Sequence, residues 1–495
     1  MDLPLIPFEK NTTMTKILKI STLVYLLIPT FIFLLTWLTP AYGISSCVLI
    51  GYFSFQCIKT IIQTDNGVVS PKLSGLSIGL SIGIALALNL LVGIGEFRTQ
   101  TLDFMSNNLK IRDLVTNPWP LYYPSFKVYM CYYLGYYLPI ASVGKLIGLA
   151  YCRYIALVWS TLGTSLLFLW LSTFLSKGRI VAILTLLFFS NAWCFYKIIY
   201  WLDFEPYINP PFHIILHKYW LMRPPFWDGF AWAPQHILPA CLGACFILQA
   251  NISKKIHLQE LLLMLLATLY WSPLASIGLF PFVLYFFLRD WQLTFSPTVL
   301  LTSLGTILGF APLLLYFVST QGVNNGNTFF IWEAGVSTWF WYYLFYIGFN
   351  VLLWYFLLSR FKHPFKPLFI IASLVLILLP LYQIGEANDL NVRSAVPSLM
   401  IFIMIIAFVL TNYLSNTSVY YWGIVILLGV NALPTLSQLY RSCLVSSPKT
   451  SIERADWKNL HDTFSFQAVM YKDSSATLEY SLQQGSVFEQ HLLRK

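Results

Sequence analysis

Residues 131–149 read CYYLGYYLPIASVGKLIGL, and whether this stretch crosses a membrane decides the fold. Tyr132, Tyr133, Tyr136 and Tyr137 crowd its first half, Gly135 and Pro139 interrupt it, and Lys145 stands near its end. A full crossing here places Lys177 and Arg179 on the outer side. A helix pair lying at the membrane interface, with tyrosines at headgroup depth, places them inside. The second reading sorts the remaining charges. Lys10, Lys16, Lys19, Lys59, Lys72, Lys254, Lys255, Arg289, Arg360, Lys362 and Lys366 then fall on the inner side, with few acids there: Asp2, Glu9, Asp65, Glu260 and Asp290. Glu96, Asp103, Asp113, Asp203, Glu205, Asp228, Glu333, Glu386 and Asp389 fall on the outer side, which is the positive-inside bias. Every candidate acidic residue of function then lies on one face.

Composition sets the class around this stretch. Of 495 residues, 57% are hydrophobic, 17% aromatic and 10% charged. A soluble domain carries about 25% charged residues, so a water-soluble enzyme is excluded, as are a disordered chain, a coiled coil and a disulfide scaffold. At ~20 apolar residues per crossing there is room for roughly a dozen membrane helices. Candidate spans are 20–38, 43–62, 73–95, 152–175, 180–195, 236–250, 258–271, 273–288, 297–319, 337–358, 367–384, 397–413 and 419–438. The expectation is an all-α polytopic membrane protein of about thirteen transmembrane helices with interfacial helices on the outer face. The first span is too long for a cleavable leader and is read as retained. The eight cysteines lie mostly inside apolar runs and act as small hydrophobes. A net charge of +10 suits a place beside anionic lipid, and so apolar a chain disfavours nucleic acid as a partner. No internal repeat stands out, which counts against inverted-repeat transporters.

Residues 1–439 thus form one transmembrane domain with outer loops 96–130 (continuing into the interfacial 131–149), 196–235, 320–336 and 385–396. Residues 440–495 form a small polar tail, placed on the outer face, with no recognisable site. In the first loop, Asp103 follows a membrane exit by about two helical turns, with Asn107 and Asn108 one turn on. A carboxylate there can take a proton from an attacking hydroxyl or share a divalent cation; alone, it also reads as a solvated loop acid. Asp113 reads as an ordinary helix-surface charge. The second loop mixes Asp203, Glu205, His213, His217, Lys218, Arg223 and Asp228 with aromatics and prolines. Its HxxxH lacks the glutamate of a zinc site, so packing is the better reading of the two histidines. Aromatic faces with Arg and Lys suit sugar and phosphate groups, although an aromatic belt explains the rings equally well. His236, in Ala-Pro-Gln-His, starts a span at the mouth of the bundle, where an ionisable group is a functional candidate. In the last loop Arg393 precedes Pro397 by four residues, where a guanidinium at a helix N-terminal turn makes an anion site. The competing reading is a surface pair of Asp389 with Arg393. Glu333 is compatible with lining the same cleft.

Several blocks, in this order, resemble the GT-C superfamily of multi-spanning glycosyltransferases, and bacterial GT-C-like membrane proteins in particular. They are Gln100 to Asp103 with Asn108 and Asp113-Leu114, Trp119-Pro120, Tyr132 to Lys145, Ala233 to His236, Ser272 to Gly278, and Asn388-Asp389 through Arg393 and Pro397. The resemblance implies transfer of a sugar from a polyprenyl-phosphate-linked donor to a glycan, lipid or protein acceptor. It implies the non-cytoplasmic face of the plasma (inner) membrane, Asp103 as the catalytic acid, and interfacial helices after it. The first loop has no adjacent Asp-Glu pair and no Asp-x-Asp, which leaves a divalent cation (Mg or Mn) open.

A polyprenyl tail holds its donor in the bilayer by ~0.8 kcal/mol per buried methylene, so base and phosphate-binding groups must stand at headgroup depth. The expected roles are Asp103 on the acceptor hydroxyl and Arg393, His236, Lys218 and Arg223 on the donor phosphate. Asn108, Asp203, Glu205, Glu333 and Asp389 are expected to line the substrate cleft. The alternatives are a transporter or flippase of a lipid-linked or anionic substrate, favoured by the break at Trp271-Ser272-Pro273, and a non-catalytic subunit of the same fold.

Overall fold

In hydrocarbon no water satisfies backbone N–H and C=O groups, so apolar segments of this length close their hydrogen bonds as helices. A computed structural model describes residues 12–64, 73–98, 100, 102–175, 178–191, 193–194, 225–253, 257–321, 328–333, 339–385, 388–444 and 480–494. Each apolar segment singled out above is helical in whole or in part. In chain order the helices are α1 (Thr12–Trp37), α2 (Pro40–Gln63), α3 (Gly75–Leu91), α4 (Leu102–Thr116), α5 (Tyr137–Ile147), α6 (Cys152–Phe174) and α7 (Arg179–Phe188). There follow α8 (Phe226–Trp232), α9 (Pro234–Ile252), α10 (Leu258–Leu269), α11 (Pro273–Arg289) and α12 (Pro297–Val318). The last are α13 (Trp339–Leu358), α14 (Lys366–Leu378), α15 (Asp389–Ser394), α16 (Val396–Asn412) and α17 (Val419–Leu444). Among the described residues, eight helices are long and apolar enough to cross a membrane, and six shorter apolar ones accompany them. The chain is a multi-pass, all-α membrane protein.

Local chemistry sets the boundaries. Proline opens α2, α9, α11 and α12, where the missing N–H costs no intrahelical bond. Ser74, Ser272 and Ser296 cap α3, α11 and α12 by accepting the backbone N–H three residues on, at 3.2, 3.1 and 3.4 Å. Helices α9 and α16 are buried almost throughout, whereas α2, α12 and α17 expose apolar faces along most of their length. The former are the centre of the bundle, and the latter meet lipid.

Residues 131–149 do not form two interfacial helices. One helix, α5, covers the second part, and Cys131–Tyr136 is a turn pressed into the bundle, where the Gly135 N–H donates to the Tyr270 carbonyl at 3.1 Å. A side chain at 135 would meet the Trp271 backbone at 2.8 Å, so only glycine allows this approach. The tyrosines face the protein: Tyr132, Tyr136 and Tyr137 are buried. The far end of α5 is its exposed part, with Leu146 85% exposed.

The end of the tail is not an appendage. Residues 480–494 return to the bundle and bury Leu482, Phe488 and Leu493. Their backbone ties three connections together: Thr39 N–H to the Leu492 carbonyl (2.9 Å), Cys131 N–H to Tyr480 (2.8 Å), and Gln483 N–H to Ser319 (2.8 Å). At the same end, Thr328–Phe330 pairs antiparallel with Tyr382–Ile384, joining the 320–336 loop to the strand that leads into α15. The tip of the α10–α11 hairpin, Tyr270-Trp271-Ser272, lies buried beneath these connections.

Candidate functional site

The last turn of α15 presents Arg393. Its guanidinium makes an ion pair with Asp389 at 2.9 Å, one turn earlier, and donates to the Tyr133 hydroxyl oxygen at 2.7 Å. Burial raises the Tyr133 hydroxyl above its ordinary value, the Arg393 charge opposing, so it stays protonated. Because α15 runs on into α16 as one apolar helix, Arg393 does not sit at a free helix N-terminus. The expected anion site of guanidinium plus unpaired backbone N–H groups is therefore corrected to a guanidinium held by a carboxylate and a tyrosine. Both readings of the 389/393 pair survive in part: the two side chains do pair, yet they remain 31% and 24% exposed and do more than neutralise each other.

His236 lies in the first turn of α9, fully buried. Its Nδ1 shares a 2.7 Å hydrogen bond with the Ser272 hydroxyl, and its ring meets the Tyr133 ring edge-on at 4.9 Å between centroids. Its Nε2 is buried and has no hydrogen-bond partner among the described residues. Ser272 belongs to the Trp271-Ser272-Pro273 break, which is a capped turn between α10 and α11. That turn carries the histidine's partner.

Sequence reasoning did not single out Lys110. It is 2% exposed, donates to the Ser106 hydroxyl at 2.8 Å, and stands over the rings of Tyr132 (4.8 Å), Tyr480 (5.3 Å) and Tyr137 (5.6 Å). Ring quadrupoles attract a cation. Arg393 and Lys110 are both within electrostatic reach of the His236 ring, and Arg393 also acts on Tyr132, Tyr137 and Tyr480. Two cations and a histidine therefore converge on one tyrosine cluster, drawn from α4, the 131–136 turn, α9, α15 and the tail.

Position 103 is the second residue of α4, and nothing is described of its side chain. By helical register, 103, 107 and 110 share a stripe, and 103 precedes Lys110 by about 10 Å along the axis. Asn107 on that stripe accepts from the Tyr137 hydroxyl at 2.6 Å and donates to the Trp232 carbonyl at 3.2 Å, tying α4 to α5 and α8. Asn108 faces elsewhere. It donates to Gln100 (2.7 Å) and Glu96 (3.2 Å), beside Arg153, which holds the Gly95 carbonyl at 3.2 Å. That cluster fixes the start of α4 and does not touch the tyrosine cluster. Asp113, expected on the surface, is instead buried and accepts from the Tyr123 hydroxyl at 3.2 Å. Glu333 is exposed and accepts the Phe330 N–H at 2.8 Å, closing its own turn.

Asp203, Glu205, His213, His217, Lys218 and Arg223 lie outside the described residues, as do Asp2, Glu9, Lys10, Asp65, Lys72, Lys177, Lys254, Lys255 and Glu386. Among the described residues no three His, Cys, Asp or Glu side chains gather as a metal site. The signal that would have found Lys110 is its place seven residues after Asp103, two turns along one stripe. The tyrosine pairs 132/133 and 136/137 repeat at four residues and were legible as a cluster. Tyr480 had no signal.

Compared with known proteins, the chain matches no family model, no curated protein and no solved structure.

Proposed function

We propose that this protein is a membrane glycosyltransferase of the GT-C kind, moving a sugar from a polyprenyl-phosphate-linked donor to an acceptor on the non-cytoplasmic face. We read the bundle as thirteen crossings, with α4 and α5 at the outer face. The convergence of Arg393, Lys110 and His236 on one tyrosine cluster carries this reading. It supplies anion-binding groups at the end of the bundle from which α4, with Asp103, begins. Two cations standing against tyrosine rings and hydroxyls, with a histidine whose Nε2 has no hydrogen-bond partner among the described residues, suit a departing lipid phosphate. Asp103 would orient or deprotonate the acceptor hydroxyl, and direct displacement at the anomeric carbon follows. Lys218 and Arg223 are proposed to assist at the phosphate; a divalent cation remains an open element of the proposal.

The test is Asp103→Asn in purified protein supplied with a polyprenyl-phosphate sugar. A general base contributes about 10²–10⁴-fold, so transfer should fall by that factor with the melting transition unchanged. Transfer at the wild-type rate removes Asp103 from the reaction.

A second reading, a transporter or flippase, is favoured by one observation: Lys19 and Glu260 form an ion pair inside the helical bundle. Movement of a lipid-linked or anionic solute across sealed vesicles, with no sugar transferred, would select it.

A further inference from the structure

At the end of the bundle where α1 begins, a cavity of about 630 Å³ opens between α2, α10 and α12. Its mouth is flanked by Tyr52 and Leu301, 55% and 69% exposed on apolar helices, so what enters comes sideways from the bilayer. The lining is graded. Gln56 and Thr60 in the last turns of α2, Glu260 in the first turn of α10 and Thr298 at the start of α12 place polar groups at one level. Deeper in, Tyr52, Phe53 and Leu301 add apolar surface beside the Thr302 and Thr306 hydroxyls. An amphiphile is the shape complement of such a lining.

Alongside the amides of Gln56 and Gln259 and the ring of His257, the lining presents threonine and glutamate oxygens as acceptors. The Thr60 hydroxyl donates to the Gln56 carbonyl at 2.9 Å, Thr302 to Thr298 at 2.8 Å and Thr306 to Thr302 at 2.7 Å, so these protons are spent within their own helices. Their oxygens keep lone pairs for another donor. Glu260 is 3% exposed; its Oε2 receives Lys19 at 2.7 Å, and its buried Oε1 has no hydrogen-bond partner among the described residues. A buried carboxylate oxygen without a donor is costly, and a ligand that supplies one offsets that cost.

We propose that this cavity binds one phospholipid whose headgroup carries N–H donors, of the phosphatidylethanolamine type. Its ammonium sits at Glu260 Oε1 and the threonine oxygens, and its chains leave between Tyr52 and Leu301 along the lipid-facing sides of α2 and α12. The inference is independent of the proposed transferase activity, because it concerns the opposite end of the bundle.

The test is native mass spectrometry of the full chain in detergent, with phosphatidylethanolamine, phosphatidylcholine or phosphatidylglycerol added. Phosphatidylcholine has the same net charge but no N–H, so it separates hydrogen bonding from charge. Retention of phosphatidylethanolamine should exceed that of the other two by roughly tenfold, as expected for a charge-assisted hydrogen bond. Glu260→Gln should lose the preference. Thr302→Trp and Thr298→Trp, which fill the cavity and leave the ion pair intact, should lose binding with their melting transitions kept. Equal retention of the three lipids, or unchanged retention by the folded tryptophan variants, overturns the proposal.

Discussion

At one end of the bundle Arg393 is held by the Tyr133 hydroxyl and the partly exposed carboxylate of Asp389, Lys110 stands over tyrosine ring faces, and a buried histidine meets the Tyr133 ring. At the other end Lys19, also buried, is bound directly to the carboxylate of Glu260 at 2.7 Å. Both ends draw charge out of water, yet the chemistry differs. A cation over a ring is held by the ring quadrupole, which adds no formal negative charge of its own. A cation bonded to a buried carboxylate is neutralised, and what remains at the surface of the pair is acceptor oxygen. On the two proposals made above, one end receives negative charge and the other a donor.

Removing a cation at each end tests this contrast. Lys19→Met leaves Glu260 buried without its partner and should lower stability by about 3–5 kcal/mol, whereas Lys19→Met with Glu260→Leu should recover most of the loss. Chemical or thermal unfolding in detergent reads both. Arg393→Gln should lower transfer by about 10²–10³-fold, the scale of one lost charge-stabilising donor, with a smaller stability change than Lys19→Met. A large unfolding shift with unchanged transfer would erase the distinction between the ends. Least in size is Tyr137→Phe, which takes a donor from Asn107 and should cost about 1 kcal/mol; it reports how firmly α4 is fixed to α5.

Much of the framework was legible because hydropathy is a local property. Most of the apolar runs became helices with boundaries within a few residues, the runs 20–38, 180–195 and 419–438 differing more, and the spans expected to begin at Pro273 and Pro297 do begin there. His236 and Arg393 were singled out from their places at the ends of apolar runs, and they share the tyrosine cluster. Lys110 was not singled out, since one lysine in a polar helix resembles any solvated charge until three rings from two other segments close over it. Asp113 was misplaced for the same reason: nothing around it in the chain predicts Tyr123 as its partner. Residues 131–149 were read as a helix pair, where the structure has a turn and one helix, because period and composition do not show that the Tyr137 and Tyr136 hydroxyls find Asn107 and Ser160 in the interior.

Composition and charge asymmetry alone established a multi-pass helical membrane protein and the order of its helices, since transfer into hydrocarbon is summed residue by residue along the chain. Only the folded bundle decided which polar groups meet. Tyr480 reaches Lys110 across 370 positions, and Glu260 reaches Lys19 across 241. Contacts of that range depend on how helices pack and which ends they share, and no window of sequence encodes them.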